Sequence, residues 1–336
     1  MTRTRVGLLV LVLVASLAVA SGYFLDARQQ ASATGPAVAT LPVAAVLAGP
    51  RIVFRNAALG ADYSRLALVP LADPGGPRAV TDVSCERLYA TATDGVCVTA
   101  TRGMAASYGV SALGPDLRPT SSTALVGQPS RARMSRDGRL VSTTTFVTGH
   151  SYASTSFSTE TVVRRDGESL GSLEGWRTTL PDGQRLDAVD RNYWGVTFAP
   201  DDDTFYATAA SGGTTWLVRG SLADRSMTAL RTNAECPSLS PDGLRVAYKT
   251  RPDDARPGVW RLAVLDLASG TETLLAETRS VDDQVEWLDD SSLLYALPRE
   301  GTEATTTDVW SVPADGGGTP VVLIPQASSP AVVRTG

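Results

Sequence analysis

The sequence predicts an all-β fold: a six-bladed β-propeller of four-stranded blades, closed by pairing of the N- and C-terminal strands and preceded by one N-terminal hydrophobic helix. Three observations predict it. A turn motif recurs at propeller-blade spacing, a second strand-turn-strand unit alternates with it, and the two ends of the folded region supply a missing copy. The composition agrees, because 30 glycines and 20 prolines in 336 residues favour short strands and turns over long helices.

The chain begins with a targeting segment, residues 1–25. Arg3 and Arg5 precede an apolar run from Val6 to Leu25 that is long enough to span a bilayer. A small-x-small pattern ending at Ala20 also fits signal peptidase, so the segment is either an uncleaved anchor or a signal peptide cut after Ala20, which would leave a secreted protein. We expect a single-pass anchor in the cell membrane, because the apolar run continues past the possible cut. Either way, the arginines keep the N-terminus inside and place the propeller outside the cytoplasm.

Residues 26–49 form the predicted linker between the membrane and the folded part. They are rich in Ala, Pro, Thr and Gly without a clear period, which is typical of a flexible tether. The propeller then covers residues 50–336, and we expect it to be a monomer that meets the membrane only through its N-terminal segment. The net charge of −5 argues against a nucleic-acid partner, since phosphate binding requires a basic surface.

The first recurring unit is a β-hairpin, seen most clearly in CPSLSPDGLRVAYKT at residues 236–250. Apolar and polar residues alternate around an Asp-Gly turn, which is a hairpin signal. Related four-residue turns begin at residues 92, 135, 199, 240 and 288. Most of these spacings are close to the period of about 40 to 45 residues that a four-stranded blade requires.

The second unit is a strand, a Gly/Asp/Pro turn and another strand, out of phase with the first. Its six copies lie at residues 63–82, 107–125, 159–175, 214–232, 259–277 and 308–325. The first unit has only five copies. The C-terminal SSPAVVRTG and the PRIVFRN at residues 50–56 supply the sixth, so the ring closes by pairing the chain ends and leaves no open edge strand.

The longest interval between turns, from residue 135 to residue 199, requires an insertion. Two stretches, Phe146–Val163 and Trp176–Asp190, are expected to lengthen the third blade. Long insertions on a rigid scaffold often carry function, although a loop without function explains the length equally well.

The SPDG-type hairpins resemble the propeller repeats of TolB-like proteins over about residues 50–336. The segments NAECPSLSPDGLRVAYKTR, YWGVTFA and RSVDDQVEW are similar to those of actinobacterial secreted or anchored proteins called TolB-like translocation proteins. The TolB periplasmic protein is a protein-binding hub next to an outer membrane, so the resemblance implies a binding role. No α/β domain precedes the propeller here, so the binding role carries over rather than TolB-type translocation.

The sequence gives little support for catalysis. His150 is the only histidine and hence the only candidate base of that type for a Ser-His-Asp triad, and no G-x-S-x-G elbow occurs, so we interpret it as a loop histidine. One histidine and three scattered cysteines exclude the usual zinc sites. The run Asp201–Asp203 fits solvated turn carboxylates better than calcium ligands. We therefore predict no catalytic residue, no metal and no cofactor.

The candidate binding site is the channel mouth at which each innermost strand begins. The segments entering these strands are polar and rich in acidic residues, with two large aromatic residues among them, a combination that can bind a peptide or a small ligand. The alternative is that Trp194 packs between blades and the carboxylates cap backbone groups. The candidate residues are Asp190, Asn192, Tyr193, Trp194, Glu235, Asp282, Asp283 and Gln284.

The cysteines suit an oxidising compartment. A disulfide between Cys85 and Cys97 would close a loop of about a dozen residues, worth ~3 kcal/mol in the loop-entropy model. The expected hairpin register, however, places Cys97 opposite Ala90, so the bond requires Cys85 to fold back or a strand to bulge. Cys236 begins an innermost strand three blades away and is predicted to stay a thiol.

The sequence as a whole predicts an extracytoplasmic, non-catalytic binding module for a protein or peptide partner in the cell envelope. One alternative is a propeller lyase or hydrolase that uses channel carboxylates with a metal, and another is a purely structural envelope component. Three or more carboxylates converging on the axis would favour the enzyme, whereas an aromatic-rimmed open face would favour binding.

Overall fold

Six antiparallel sheets arranged around a central channel make up the folded part of the chain. The structure is a computed structural model that describes residues 12, 14–19, 21–22, 38–101, 106–147, 158–252 and 258–334. The innermost strands of neighbouring sheets contact one another around the ring. The predicted six-bladed β-propeller is therefore confirmed.

The first three blades run from the innermost strand outward. Blade 1 contains β25 (Ala327–Val333), β1 (Arg51–Asn56), β2 (Arg65–Pro70) and β3 (Ala79–Ser84). Blade 2 contains β4 (Arg87–Ala90), β5 (Gly95–Thr101), β6 (Ser107–Leu113) and β7 (Pro119–Leu125). Blade 3 contains β8 (Gln128–Met134), β9 (Leu140–Val147), β10 (Ser158–Arg165) and β11 (Glu168–Ser172).

The remaining three blades follow in the same order. Blade 4 contains β13 (Asn192–Phe198), β14 (Thr204–Ser211), β15 (Thr214–Ser221), β16 (Ser226–Thr232) and an added outer strand, β12 (Arg177–Thr179). Blade 5 contains β17 (Glu235–Leu239), β18 (Arg245–Thr250), β19 (Arg261–Asp266) and β20 (Glu272–Leu274). Blade 6 contains β21 (Glu286–Asp289), β22 (Ser292–Pro298), β23 (Thr307–Pro313) and β24 (Val321–Ile324). Two single-turn 3-10 helices cover Leu173–Gly175 and Gly301–Glu303.

The chain ends close the ring as predicted. β25 pairs antiparallel with β1, and Ile52 lies opposite Val332. The second strand of each blade is largely buried on both faces, because each sheet packs between two neighbouring sheets, whereas an outer strand such as β7 is exposed. In β18, for example, every residue after Arg245 is buried, so apolar–polar alternation is weak there.

Blade 4 differs from the prediction because it has five strands. β12 pairs in parallel with the outermost strand β16, which places Thr178 beside Met227. Just before β12, Trp176 packs edge-on against Phe205 of β14 at 5.9 Å between ring centroids. The stretch Trp176–Asp190 therefore extends blade 4, and the expectation that it lengthens blade 3 was wrong. The unpaired edge of β16 explains this, because it can accept another strand. Residues 148–157 of the other predicted insertion, His150 included, lie outside the described residues.

In the recurring turns, side chains form hydrogen bonds with the backbone of the same turn. We call the face of the ring that carries these turns the turn face. At residues 240–243, the Ser240 hydroxyl accepts a hydrogen bond from Arg245 N at 2.9 Å, and the Asp242 carboxylate accepts one from Leu244 N at 2.9 Å. Gly243 supplies the positive φ of +73° that the turn requires. The turn at residues 135–138 repeats the same bonds. The motif is therefore a structural device.

The segment ahead of the propeller contacts blade 1. A short helix, α1 (Val43–Leu47), buries Val46 against the core next to β2 and β3. Residue Thr40 bridges Arg78 in parallel. The predicted linker, residues 26–49, thus includes ordered structure from residue 38 onward. Most of residues 1–37 lie outside the described set, and among the described residues no helix has both the length and the apolar character needed to cross a bilayer.

Cys85 and Cys97 form a disulfide, with their Cα atoms 5.4 Å apart. Cys97 pairs with Leu88 rather than with Ala90, because the turn spans Thr91–Asp94, one residue earlier than expected, and places Ala90 opposite Gly95. Glu86 N donates a hydrogen bond to the Val98 carbonyl at 2.7 Å, although the strand register pairs Arg87 with Val98. Glu86 and Arg87 therefore both face Val98, and this bulge brings Cys85 within bonding distance of Cys97. Cys236 is a buried free thiol, as predicted.

Candidate functional site

The channel opens opposite the turn face into a pocket of about 540 Å³, called the funnel below. Blades 2 to 6 all contribute to its wall. Five of the eight predicted residues line it: Asp190, Asn192, Trp194, Glu235 and Asp282. Phe146, Trp260 and the backbone of residues 211–213 complete one side of the wall.

The innermost strands carry irregularities at this mouth, and these aim side chains into the channel. The register of β8, β13 and β17 shifts at Pro129/Arg131, Trp194/Thr197 and Glu235/Ser238. Gly195 and Cys236 have positive φ values of +67° and +53° at two of these points. Such bulges re-aim side chains at barrel rims and binding sites. Packing is tight here, because a Cβ on Gly195 would lie 2.7 Å from the Cα of Cys236.

Lys249 is the centre of a charged cluster on the blade 5 side of the funnel. Its ammonium contacts the Asp282 carboxylate and lies 3.5 Å from Glu235 Oε2, and it sits 4.3 Å from the Trp260 ring centroid. Arg251 pairs with Glu235 at 3.1 Å. Burial would lower the pKa of Lys249, but the charges of Cys236, Asp282 and Glu235 outweigh it and raise the pKa above its ordinary value. Lys249 is therefore held as a paired cation.

Two arginines reach the funnel from the first strands of blades 2 and 3. Arg87 Nε donates to the Ser130 carbonyl at 3.0 Å, and Arg131 Nη1 donates to the same oxygen at 2.9 Å. Arg131 Nη2 also lies 3.8 Å from the Cys236 sulfur. The expectation of an acid-leaning mouth was therefore wrong. Among the described residues, the funnel wall contains four cations, Arg87, Arg131, Lys249 and Arg251, and three carboxylates, Asp190, Glu235 and Asp282.

Sequence reasoning missed these cations because it considered only the segments that enter innermost strands. Arg87 and Arg131 lie within the innermost strands β4 and β8, whereas Lys249 and Arg251 lie at and just beyond the end of β18. The signal available was a basic residue near the funnel end of several strands.

Asp190 and Asn192 brace the rim. The Asp190 carboxylate accepts hydrogen bonds from Ser211 Oγ at 2.6 Å and Gly212 N at 2.8 Å, and these two bonds lower its pKa. Asn192 Oδ1 accepts a hydrogen bond from Thr159 N at 2.7 Å, which ties blade 4 to blade 3. Both residues thus hold loops in place at the edge of the funnel.

The other three predicted residues lie behind the funnel wall. Tyr193 is fully buried, and its hydroxyl bonds Thr178 at 2.7 Å, because successive strand residues point to opposite faces. The Asp283 carboxylate accepts from its neighbour Gln284 N at 2.9 Å, so it caps backbone as the alternative interpretation expected. Gln284 Nε2 donates to the carbonyls of Val196 and Pro237 and joins blades 4, 5 and 6.

A second pocket of about 550 Å³ opens at the turn face. Its wall includes a buried ion pair of Arg133 and Glu286, and Arg133 also donates to Ser238 Oγ at 3.0 Å and the Val285 carbonyl at 2.8 Å. Tyr89 donates its hydroxyl to Glu286 at 3.2 Å. Burial raises the pKa of Glu286, although Arg133 opposes the shift. Within the described ranges, no three His, Cys, Asp or Glu side chains are grouped to hold a metal ion at either mouth.

Comparisons with known proteins identify the fold and no more. No protein-family model and no curated protein sequence matches the chain. TolB from Acinetobacter baumannii is similar in structure, with a TM-score of 0.54 and 17% sequence identity over 86% of this chain and 68% of that chain.

Two further solved structures align with the chain. A chain of the nidogen/laminin complex aligns with a TM-score of 0.51 and 12% identity over 85% of this chain and 98% of that chain. The periplasmic gluconolactonase PpgL from Pseudomonas aeruginosa aligns with a TM-score of 0.47 and 15% identity over 84% of this chain and 99% of that chain. The predicted resemblance to the TolB-like propeller is thus confirmed as a likeness of fold.

Proposed function

We propose that this propeller is a non-catalytic binding module that receives a segment of a protein or peptide partner in its funnel, outside the cytoplasm. One observation carries the proposal. The funnel combines an open pocket of about 540 Å³, aromatic side chains on its wall and charged groups held in fixed positions by their neighbours. Ligand sites typically combine these features.

The aromatic side chains supply contact area. Phe146, Trp194 and Trp260 come from the consecutive blades 3, 4 and 5, so they line one side of the funnel. Aromatic residues dominate the energetics of protein interfaces because they bury a large area with few rotatable bonds. An extended peptide entering the funnel would pack its apolar side chains between them.

The charged cluster favours binding over catalysis. A lysine that acts as a base or nucleophile requires a lowered pKa, whereas the pKa of Lys249 is raised. Its two carboxylate neighbours, Glu235 and Asp282, are engaged by Lys249 and Arg251. The alternative of a metal-dependent lyase or hydrolase would require channel carboxylates with free oxygens directed at one point.

Two further observations support the proposed location and partner class. The Cys85–Cys97 disulfide is typical of proteins outside the cytoplasm, and the apolar N-terminal segment predicts export. The similar propeller from the nidogen/laminin complex belongs to a complex of two proteins. We propose a monomeric propeller held at the cell membrane by residues 1–25.

Site-specific photocrosslinking in the native envelope tests this function. A benzophenone amino acid replaces Phe146, which lies at the funnel and is 38% exposed, and the control replaces Leu244, which is 61% exposed on the turn face. We expect one recurrent protein captured from position 146 and not from position 244, and we expect Trp260→Ala to abolish the capture. Equal capture from both positions, or copurification of a metal or a small molecule without any captured protein, would contradict the proposal.

A further inference from the structure

Arg87 and Arg131 bring two positive charges together at the base of the funnel. They belong to neighbouring innermost strands, and both donate to the carbonyl oxygen of Ser130, at 3.0 and 2.9 Å. One shared acceptor 3 Å from both donors fixes the guanidinium groups side by side. Both groups line the pocket, so an occupant of the funnel can reach them.

Neither guanidinium has a carboxylate partner in the described part of the chain. No carboxylate of a described residue lies within ion-pair distance of Arg87 or Arg131, whereas the other two funnel cations, Lys249 and Arg251, are both paired with Glu235. Arg131 Nε is buried and makes no hydrogen bond within the described residues. Hydrogen-bonding capacity and positive charge therefore remain unused at this point.

The two neighbouring guanidinium groups are both desolvated, and their surroundings act on them in opposite directions. Burial, followed by the charge of Arg131, lowers the pKa of Arg87. Burial also opposes ionisation of Arg131, but Cys236 and the more distant Asp283 and Asp282 outweigh it and raise the pKa. An arginine stays protonated at neutral pH in either case. Two desolvated like charges persist in the fold, and an anion placed between them would remove the repulsion.

We infer that Arg87 and Arg131 form a subsite for a carboxylate group of the funnel's ligand. The inference rests on the proposed binding function and specifies the ligand chemistry. Guanidinium groups bind carboxylates through paired N–H donors in a fixed fork, which matches the two side-by-side groups. A singly charged carboxylate fits better than a doubly charged phosphate, because the described residues of the wall include four cations and three carboxylates, a surplus of one positive charge.

The test uses the full chain in detergent and two probes that differ only in charge. N-acetyl-tryptophan carries a carboxylate, and N-acetyl-tryptophan amide is its neutral counterpart. Their affinities are measured by NMR titration of ¹⁵N-labelled protein, with the arginine Nε–H signals as reporters. We expect the acid to bind about tenfold more tightly than the amide and to shift the signals of Arg87 and Arg131. Equal affinities, no binding of either probe, or shifts confined to other residues would overturn the inference.

Three variants refine the test. We expect Arg87→Gln and Arg131→Gln each to abolish the preference for the acid, and Arg131→Lys, which keeps the charge but loses the fork, to retain part of it. The control is Arg136→Gln at the turn face, which leaves the preference unchanged; Arg136 lies in the turn-face pocket and donates a hydrogen bond to the Pro241 carbonyl at 3.0 Å. If the Gln variants do not fold, the acid–amide difference and the arginine shifts of the wild-type protein decide.

Additional probes separate the possible anions and their sources. Tighter binding of inorganic phosphate than of N-acetyl-tryptophan would overturn the assignment to carboxylate. N-acetyl-glutamyl-tryptophan amide presents a side-chain carboxylate instead of a terminal one, so its affinity shows which source the subsite prefers. The crosslinking at position 146 is independent of these titrations. Acid selectivity without a captured protein would leave a site for a small organic acid, and capture without acid selectivity would leave a binding module that lacks this subsite.

Discussion

The two mouths of the channel enclose pockets of nearly equal volume, about 540 Å³ at the funnel and about 550 Å³ at the turn face, yet they are built differently. The turn face repeats one local motif, in which a serine and an aspartate cap the backbone of their own hairpin. At the funnel, each blade contributes different side chains. Repetition thus specifies the scaffold, and departures from repetition specify the candidate site.

The same contrast appears within one strand. Arg131 and Arg133 are two residues apart in β8, but Arg133 faces the turn-face pocket and is paired with Glu286, whereas Arg131 faces the funnel and has no carboxylate within ion-pair distance among the described residues. A propeller that only required stability would pair both. The difference is what the proposed binding role of the funnel predicts for this strand.

The largest expected effect comes from removing the cation of the Arg133–Glu286 ion pair. Arg133→Gln leaves the Glu286 carboxylate buried without its cation, and we expect a loss of about 3–5 kcal/mol in the free energy of unfolding. Urea denaturation followed by tryptophan fluorescence measures it. A loss below about 1 kcal/mol would show that the pair contributes little and would remove the contrast with Arg131.

Two glycines, one at each mouth of the channel, extend the comparison to the backbone. Both have positive φ, but a Cβ on Gly195 at the funnel would lie 2.7 Å from the backbone of Cys236, whereas a Cβ on Gly243 at the turn face meets no atom within 4 Å. We expect Gly195→Ala to cost about 2–3 kcal/mol and Gly243→Ala about 1 kcal/mol, both measured by urea denaturation. Equal losses would show that the innermost strands can move apart at no cost.

A turn-face carboxylate predicts the pH dependence of stability. Burial would raise the pKa of Asp242, but hydrogen bonds from Ser240, Leu244 and Arg245 outweigh it and lower the pKa. A lowered pKa in the folded state means that the contribution is present above pH of about 4 and is lost as the pH falls through the folded-state value. We expect Asp242→Asn to lose about 1 kcal/mol at pH 7 and less at pH 3. A variant as sensitive to acid as the wild type would contradict this role.

The smallest effect is expected at the unpaired arginine. Arg131→Gln removes a repulsive neighbour of Arg87, so we expect the free energy of unfolding to change by no more than about 0.5 kcal/mol, or to increase slightly. The measurement is the same urea titration used for Arg133→Gln. A loss comparable to that of the Arg133 variant would mean that Arg131 is structural and would weaken its assignment to ligand binding.

The sequence predicted what local chemistry determines. The Ser-Pro-Asp-Gly turns cap themselves within six residues, so their spacing revealed the blades, and the six alternating hairpins followed. β12 was missed because its partner β16 lies about fifty residues later in the chain and the pairing is parallel, which leaves no local pattern. Tyr193 was misplaced into the funnel because consecutive strand residues were assigned to the same face, whereas Asn192 and Trp194 line the funnel and Tyr193 between them points away from it.

The basic residues of the funnel also could not be predicted from local sequence patterns. Arg87 and Arg131 lie more than forty residues apart, and only the ring geometry places both beside the Ser130 carbonyl. A pattern that scores basic residues near the ends of successive innermost strands could have suggested them. The five predicted residues that do line the pocket were found because they lie at or near the start of innermost strands, a position that the repeat fixes.

The pairing of β25 with β1 has a consequence for biosynthesis. β1 is among the first strands to be made, but its partner, Ala327–Val333, is not available until almost the whole chain has been synthesised. Until then blade 1 has an exposed hydrogen-bonding edge, which is a hazard for aggregation or for pairing with another copy. The nascent chain thus needs protection for nearly the full duration of translation, and premature termination before residue 327 yields an open ring rather than a shorter propeller.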